Sequence, residues 1–262
     1  MPLKGGGGSP MEEYKKRLAL ILAETGALFF DKGLVLKDTR PTPYFVNLGM
    51  FRTGRLSMEM GAFFADMMVS RGIARETDIV LGPSYKGSAI ALATAMALYT
   101  RHGIDPLFDY DRKEAKGHGE DSKAGSLFVN RTFYDGCRVF IVDDVATSMG
   151  TKVELIQKVQ SEQDSRKISI RILGIGIAVD REQTSAVYDE KGKYIPGRKG
   201  ENSIAKFVAD TKIPVYSVAG IREIVHSLSE EKTPVLINGK HMVLDQETLA
   251  AFHEYMETYG IS

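Results

Sequence analysis

Residues 138–151 decide the fold, and they read Arg-Val-Phe-Ile-Val-Asp-Asp-Val-Ala-Thr-Ser-Met-Gly-Thr. The first five are mostly apolar and show no polar alternation, which is typical of a strand buried on both faces of a parallel sheet. Two adjacent carboxylates, Asp143 and Asp144, end this strand, and a short turn rich in hydroxyls leads into a helix. The stretch therefore predicts one strand-turn-helix step of an α/β fold.

Segments of the same character lie on both sides of this stretch. Short apolar strands alternate with helices, which indicates crossover connections in a mostly parallel sheet flanked by helices. The strands are expected at 78–82, 104–109 and 168–179, and the helices at 87–101 and 151–160. Residues 110–130 and 181–203 are polar loops that contain glycine, the second with a hairpin at 190–193. We therefore expect one α/β domain.

Further elements are expected towards the two ends of the chain. They are a helix at 14–28, a strand at 44–48, a helix at 54–71, a hairpin at 235–244 and a helix at 246–259. The hairpin signal is strong because Asn238-Gly239 supplies both residues with positive φ that a type I′ turn needs. Residues 1–10 include four consecutive glycines, and we expect a disordered tail or a cloning remnant there, with the natural start near residue 11.

Composition narrows the classes of partner. The 262 residues include 34 Lys plus Arg and 34 Asp plus Glu, so the formal net charge is zero and no global basic surface is available for nucleic acid or an anionic membrane. A hydrophobic content of 43% excludes disorder of the whole chain. Cys137 is the single cysteine, and no apolar run approaches the roughly 20 residues that span a bilayer. We expect a cytoplasmic protein that binds neither nucleic acid nor membrane.

The turn after the two carboxylates is predicted to bind a sugar phosphate. N–H groups at a helix N-terminus bind phosphate, and the hydroxyls of Thr147, Ser148 and Thr151 add donors. Asp143 and Asp144 suit the hydroxyls of a sugar, directly or with a divalent cation nearby. In the alternative interpretation, Asp144 or Thr147 only caps the helix, and these residues alone favour neither reading. The turn lacks the glycine patterns of triphosphate and dinucleotide sites.

Two further segments bring cations towards the same sheet edge. Residues 109–120 hold four basic side chains, Arg112, Lys113, Lys116 and His118. Charge alone favours a solvated helical turn, whereas the glycines at 117 and 119 suit a loop that closes over a polyphosphate. Lys86 follows the strand at 78–82 and would face the same edge, unless it is an ordinary surface lysine.

Four segments together resemble the orotate phosphoribosyltransferase family, which has the type I phosphoribosyltransferase fold. The run VFIVDDVATSMGT resembles the family's motif for phosphoribosyl pyrophosphate (PRPP), and residues 34–54, 81–87 and 111–120 narrow the match. The resemblance implies transfer of the phosphoribosyl group of PRPP to orotate, with Mg²⁺, in pyrimidine biosynthesis. It also implies a homodimer whose mobile catalytic loop reaches the neighbouring subunit's site. A small hood at about 11–55, a core at about 56–225 and a C-terminal hairpin and helix at 226–262 are expected.

The resemblance implies roles for individual residues. The PRPP-binding positions would be Lys37, Tyr85, Lys86, Arg112, Lys113, Lys116, His118, Asp143, Asp144, Val145, Ala146, Thr147, Ser148, Met149, Gly150 and Thr151. The orotate-binding positions would be Lys37, Phe45, Val46, Thr147 and Arg181. The catalytic positions would be Lys113, Lys116, His118, Asp143 and Asp144. No protein ligand is assigned to Mg²⁺, which would be held mainly by PRPP and water.

The implied chemistry is mostly electrostatic. Breaking the bond between C1 and pyrophosphate builds positive charge on the ribose and negative charge on the leaving group, so no nucleophilic side chain is required. Arg181 offers a planar pair of donors for the orotate carboxylate, although an ordinary surface arginine explains the sequence equally well. The rival hypotheses are a phosphoribosyltransferase for another base and a non-catalytic regulator that senses PRPP.

The chain departs from the family pattern in four places. The family turn usually runs Asp-Asp-Val-Ile-Thr-Ala-Gly-Thr, whereas here one extra residue precedes Gly150. After Glu120 the expected Gly-Gly is replaced by Asp-Ser-Lys-Ala-Gly. The loop at 181–203 and the hairpin at 234–244 are larger than in compact members, which would change the dimer surface or the resting position of the catalytic loop.

Overall fold

The computed structural model describes residues 11–113, 127–145 and 149–261. Its helices and strands follow one another along the chain as α1 (Glu13–Glu24), β1 (Leu28–Phe30), β2 (Tyr44–Val46), α2 (Gly54–Ser70), β3 (Ile79–Gly82), α3 (Lys86–His102), β4 (Leu107–Tyr110), β5 (Cys137–Val145), α4 (Gly150–Arg166), β6 (Ile170–Asp180), α5 (Ser203–Thr211), β7 (Val215–Gly220), α6 (Ile221–Glu230), β8 (Val235–Ile237), β9 (Lys240–Met242) and α7 (Gln246–Tyr259). The expectation for residues 1–10 lies outside the described residues.

The larger sheet is parallel throughout and has the strand order β4-β3-β5-β6-β7. The expected α/β class is confirmed, and β5 lies at the centre with its residues 139–142 fully buried. This strand is longer than expected because it continues through both carboxylates to Val145. In contrast, β4 begins later than expected because the Ile104 N–H still bonds to the Leu98 carbonyl of α3 and pairing with β3 begins only at Leu107.

The smaller sheet has the order β2-β1-β8-β9 and joins the two ends of the chain. The predicted C-terminal boundary of the helix at 14–28 is wrong, because α1 ends at Glu24 and Gly26 turns the chain with φ 65°. Leu28 instead begins β1, which pairs antiparallel with β2 and parallel with β8. The hairpin of β8 and β9 is confirmed, with φ of 48° at Asn238 and 79° at Gly239.

One buried apolar cluster connects the two sheets. It includes residues of α1, α2, β5, α6 and α7, so the C-terminal helix packs into the same core as the N-terminal helix. Residues 203–230, where no individual element was predicted, form α5, β7 and α6. The division into hood, core and C-terminal segment stays a prediction. Within the described ranges, no helix combines the length and apolarity needed to cross a bilayer.

Candidate active site

The carboxyl ends of β3 and β5 bring two predicted groups together. The β3–α3 loop turns sharply between Gly82 and Gly87, where a Cβ on Gly82 would overlap the Gly87 carbonyl. This turn places Lys86 at the start of α3, and its Nζ lies 3.0 Å from Oδ2 of Asp144 at the end of β5. The Lys86 side chain is 62% exposed and that of Asp144 18% exposed, so both remain accessible to a ligand.

Asp143, the other predicted carboxylate, lies in a different environment. It is buried, and its Oδ1 accepts the N–H of Asp144 at 2.9 Å. Its Oδ2 forms an ion pair with Lys152, a buried lysine in the first turn of α4. Burial raises the pKa of Asp143, and the charge of Lys152 opposes this shift without cancelling it. Of the two neighbouring carboxylates, Asp143 is therefore enclosed by protein and Asp144 is accessible to a ligand.

The two described ends of the 110–130 loop pair with each other beside the β3–α3 loop. Arg112 N–H donates to the Leu127 carbonyl at 2.7 Å, and Asp111 forms an isolated antiparallel bridge with Phe128. Asp111 is buried and accepts the N–H of Ser84 at 2.6 Å. These contacts fix the base of the predicted catalytic loop against the loop that carries Lys86.

Lys113, at the described end of the predicted catalytic loop, contacts Tyr85 of the β3–α3 loop. Lys113 Nζ lies 5.5 Å from the centre of the Tyr85 ring, and Tyr85 itself is 77% exposed. Lys158 on α4 also binds Asp111 and donates to the Arg112 carbonyl at 3.0 Å. Lys116 and His118, two further predicted cations of this loop, lie outside the described residues.

Arg181 follows the carboxyl end of β6, whose Val179 is in register with Val145 of β5. Its guanidinium is buried and lies 5.2 Å from the centre of the Tyr44 ring and 5.9 Å from that of Phe45. Nε and Nη2 of Arg181 have no hydrogen-bond partner among the described residues. A buried guanidinium with unpaired donors is suited to an anionic ligand such as a carboxylate.

The acids on either side of Arg181 in sequence do not satisfy those donors. Asp180 accepts the Glu182 N–H at 2.8 Å, and Glu182 accepts the Arg222 N–H at 2.8 Å. Burial raises the pKa of both carboxyls. Burial also raises the pKa of Tyr44 to about 12, so this ring stays neutral beneath the guanidinium.

The remaining predicted residues are placed as follows. Lys37 is exposed on the loop before β2, whose Asp38 carbonyl accepts a hydrogen bond from Tyr188 at 2.9 Å. Val46 is buried on β2. Met149 is buried with φ 56°, whereas Gly150 and Thr151 are exposed in the first turn of α4, where helical N–H groups lack intrahelical partners. Ala146, Thr147 and Ser148 lie outside the described residues.

A cavity of about 270 Å³ opens beside the Lys86–Asp144 pair. Its apolar wall includes Leu48, Phe51 and Ile90. A larger cavity of about 660 Å³ lies between residues 41–43 and α7, but no predicted site residue lines it. The smaller cavity is therefore the better candidate for the substrate, because it contains the open carboxylate and the lysine.

Sequence reasoning missed Lys152, Asp111 and Tyr44. Lys152 carries a signal that was available, since it stands at helical spacing with Leu155, Ile156 and Val159 on the buried face of α4. A lysine at such a position requires an acidic partner. Asp111 and Tyr44 carry no comparable signal, because their contacts join segments far apart in the chain.

Comparisons with known proteins point to one family, although no protein-family model matches the chain. An orotate phosphoribosyltransferase from Bifidobacterium longum is 34% identical over 257 residues, which cover 95% of this chain and 99% of the relative. One from Bifidobacterium adolescentis is 32% identical over 254 residues, 93% of this chain and 96% of the relative. A crystal structure of the Francisella tularensis orotate phosphoribosyltransferase matches the fold with a TM-score of 0.66 at 24% identity, covering 93% of this chain and 98% of that one.

Proposed function

Because the chain belongs to the orotate phosphoribosyltransferase family, we propose that it transfers the phosphoribosyl group of PRPP to orotate, giving orotidine 5′-monophosphate and pyrophosphate. The observation that carries this proposal is the contact of Lys86 with Asp144 at 3.0 Å beside a cavity at the carboxyl edge of the parallel sheet. Ligands of open α/β sheets bind at this edge. A cation next to a carboxylate suits a substrate with a sugar and a polyphosphate.

The two members of this pair have complementary tasks in the proposed reaction. Asp144 accepts hydrogen bonds from the ribose hydroxyls and faces the positive charge that develops on the ring. Lys86 exchanges its contact with Asp144 for the departing pyrophosphate, whose negative charge grows in the transition state. The 5-phosphate binds at the first turn of α4, where Gly150 and Thr151 are exposed.

Arg181 is the proposed recognition group for orotate. Its unpaired Nε and Nη2 would donate to the orotate carboxylate, while Tyr44 and Phe45 hold the guanidinium in place. Uracil lacks this carboxylate and would leave the buried donors unpaired, which disfavours its binding. Lys37, Val46 and Thr147 complete the proposed orotate site.

The catalytic loop supplies further cations in this proposal. Lys113, Lys116 and His118 would approach the pyrophosphate when the loop closes, and closure would exclude water. The contact of Lys113 with the Tyr85 ring supports this assignment, because it brings the loop to the segment that carries Lys86.

Mg²⁺ is the proposed cofactor, bound through PRPP. The described ranges contain no group of three or more His, Cys, Asp or Glu side chains that could hold a metal ion by themselves. The residues present therefore suit a cation that keeps its contacts to substrate phosphates and water, as Mg²⁺ commonly does. Bound in this way, Mg²⁺ would neutralise charge on the pyrophosphate.

A homodimer is the proposed assembly, and the apolar groove between α2 and α3 supports it. The groove has a volume of about 770 Å³, and Met58, Leu92 and Met96 are exposed along it. It shares Ser57, Ala89 and Ala93 with the cavity beside Lys86. A second copy seated there would bring its own catalytic loop towards this site. We place the dimer in the cytoplasm, because a chain whose single cysteine is Cys137 cannot form an intramolecular disulfide.

A pyrophosphate-release assay tests the proposed reaction. The purified chain with PRPP and Mg²⁺ should release pyrophosphate when orotate is added, and much less when uracil or a purine base is added. Release with a purine but not with orotate would contradict the proposal. Binding of PRPP without release in the presence of any base would identify a regulator instead.

Subunit mixing tests the shared loop. Lys86→Met and Lys116→Ala variants are each expected to turn over slowly, but a mixture should regain about a quarter of the wild-type rate, because each heterodimer then contains one intact site. The control is a mixture of two separately prepared Lys86→Met samples. No recovery in heterodimers would show that each loop serves its own subunit.

A further inference from the structure

Lys152 is a charged residue at the start of the mostly apolar buried face of α4. It lies one turn before Leu155 and Ile156 and two turns before Val159, and all four are buried against the larger sheet. The Lys152 side chain is only 4% exposed. Because an isolated buried ammonium is very unfavourable, the groups that surround its Nζ determine what this residue does.

The ammonium of Lys152 connects the end of β5 to the start of α4. Its Nζ pairs with Oδ2 of Asp143 and donates to the Val145 carbonyl at 2.7 Å. Its own backbone N–H donates to the Met149 carbonyl at 3.0 Å. One residue therefore holds both described ends of the β5–α4 turn, Val145 on one side and the first turn of the helix on the other.

Asp143 connects Lys152 to Asp144, the accessible carboxylate. Its Oδ1 accepts the N–H of Asp144, and Oδ1 of Asp144 in turn accepts the N–H of Val145 at 2.8 Å. Lys152 thus contacts the Val145 carbonyl directly and acts on the Asp144 N–H through the Asp143 side chain, whereas Lys86 contacts the Asp144 side chain. Without Lys152, Asp143 would keep a buried charge with no cationic partner among the described residues.

We propose that Lys152 is a positioning residue that holds Val145 at the end of β5 and the first turn of α4 in place for the 5-phosphate end of PRPP, and that it acts independently of Lys86 at the pyrophosphate end. This inference rests on the proposed function. It goes beyond that function because it gives a role to Lys152, a buried residue to which the family resemblance assigns none, and it assigns Asp143 to the support of the end of β5 together with Lys152, leaving Asp144 as the carboxylate that faces the ribose.

Binding of two fragments of PRPP distinguishes the role of Lys152 from that of Lys86. Ribose 5-phosphate reports on the turn, and pyrophosphate with Mg²⁺ reports on the Lys86 side. By isothermal titration calorimetry, Lys152→Met should weaken ribose 5-phosphate binding by about tenfold or more, as expected for a misplaced binding group, and leave pyrophosphate binding within about twofold. Lys86→Met should do the reverse. In steady-state assays, Lys152→Met should raise the PRPP KM much more than the orotate KM.

Controls keep the test independent of folding. Arg138→Met removes an ion pair at the other end of β5 and should change neither fragment affinity. If Lys152→Met does not fold, the double variant Asp143→Asn/Lys152→Met removes both buried charges and should show the same selective loss of ribose 5-phosphate binding. Lys152→Arg keeps the charge and should recover part of the affinity.

The possible failures can be told apart. If the wild-type chain binds both fragments and Lys152→Met binds them equally well, the inference is overturned while the proposed function stands. An equal loss of both fragments also overturns it, because the two ends would then not be independent. If the wild-type chain binds neither fragment and releases no pyrophosphate, the proposed function and the inference both fail.

Discussion

Each end of β5 carries an ion pair between an aspartate and a basic side chain. The pair at the amino end is near solvent, and the pair at the carboxyl end is buried. At the amino end, Arg138 reaches Asp78 through Nε and Nη2, each at 3.0 Å, and its N–H donates to the same carboxylate at 2.8 Å. This pair is near solvent, and the hydrogen bonds from Arg138 lower the pKa of Asp78. At the carboxyl end, Asp143 is buried with Lys152, and burial raises its pKa.

The contrast extends to the neighbouring strand. Asp180 and Glu182, at the carboxyl end of β6, also have a raised pKa because they are buried. The carboxyl edge of the sheet therefore holds acids where ionisation is unfavourable, which is typical of functional sites. The amino end of β5 holds its acid where ionisation is favourable. Changes at the carboxyl edge should affect activity first, and changes at the amino end should affect stability alone.

The largest effect is expected for Lys86→Met. It removes the cation that faces the leaving pyrophosphate, and kcat/KM for PRPP should fall on the order of 100-fold. The Tm should change little, because Lys86 is exposed and such ion pairs contribute little to stability. Lys32→Met is the matched control, since Lys32 pairs with Glu247 on the surface away from the site. Equal losses in both variants would contradict the assignment of Lys86.

Arg181→Lys should have the next largest effect. Lysine keeps the positive charge but loses the planar pair of donors, so the orotate KM should rise about tenfold or more while the PRPP KM changes little. Arg222→Lys is the control, because Arg222 donates to the Ile261 carbonyl and contacts no predicted substrate residue. A rise confined to the PRPP KM would show that Arg181 does not bind orotate.

Much of the carboxyl edge was predictable from sequence, because its signals are local. An apolar run that ends in Asp143 and Asp144, followed by a glycine turn, specifies a buried parallel strand and a polar edge. The helix α7 and the Asn238–Gly239 turn were predictable for the same reason.

The smaller sheet was not predictable, because its order depends on contacts between distant segments. Phe29 of β1 pairs with Leu236 of β8, more than 200 residues away, and only the folded chain brings them together. The burial of Asp143 was not predictable from the sequence for a similar reason. Two adjacent aspartates are equivalent in sequence, and only the packing of α4 on β5 separates their environments.

Arg138→Met should have a small effect that is confined to stability. It removes two side-chain hydrogen bonds to Asp78 at the amino end of β5, so the Tm should fall slightly. The KM values for orotate and PRPP should both remain at their wild-type levels, as steady-state assays would measure. A changed KM would break the proposed separation between the two ends of the strand.

The smallest effect should appear in the pH dependence of stability, and its sign should differ between the two edges. The lowered pKa of Asp78 means that its contribution to the free energy of unfolding is complete above the ordinary aspartate pKa of about 3.9. This contribution is lost as the pH falls through the lower folded pKa, so the difference between the wild type and Asp78→Asn should shrink in acid. Asp180 has a raised pKa, so its contribution is present in acid and is lost as the pH rises through the folded pKa. The wild type should therefore gain stability relative to Asp180→Asn as the pH falls. Urea unfolding of the three proteins across the acid range measures both slopes, and slopes of the same sign would show that burial does not distinguish the two edges of the sheet.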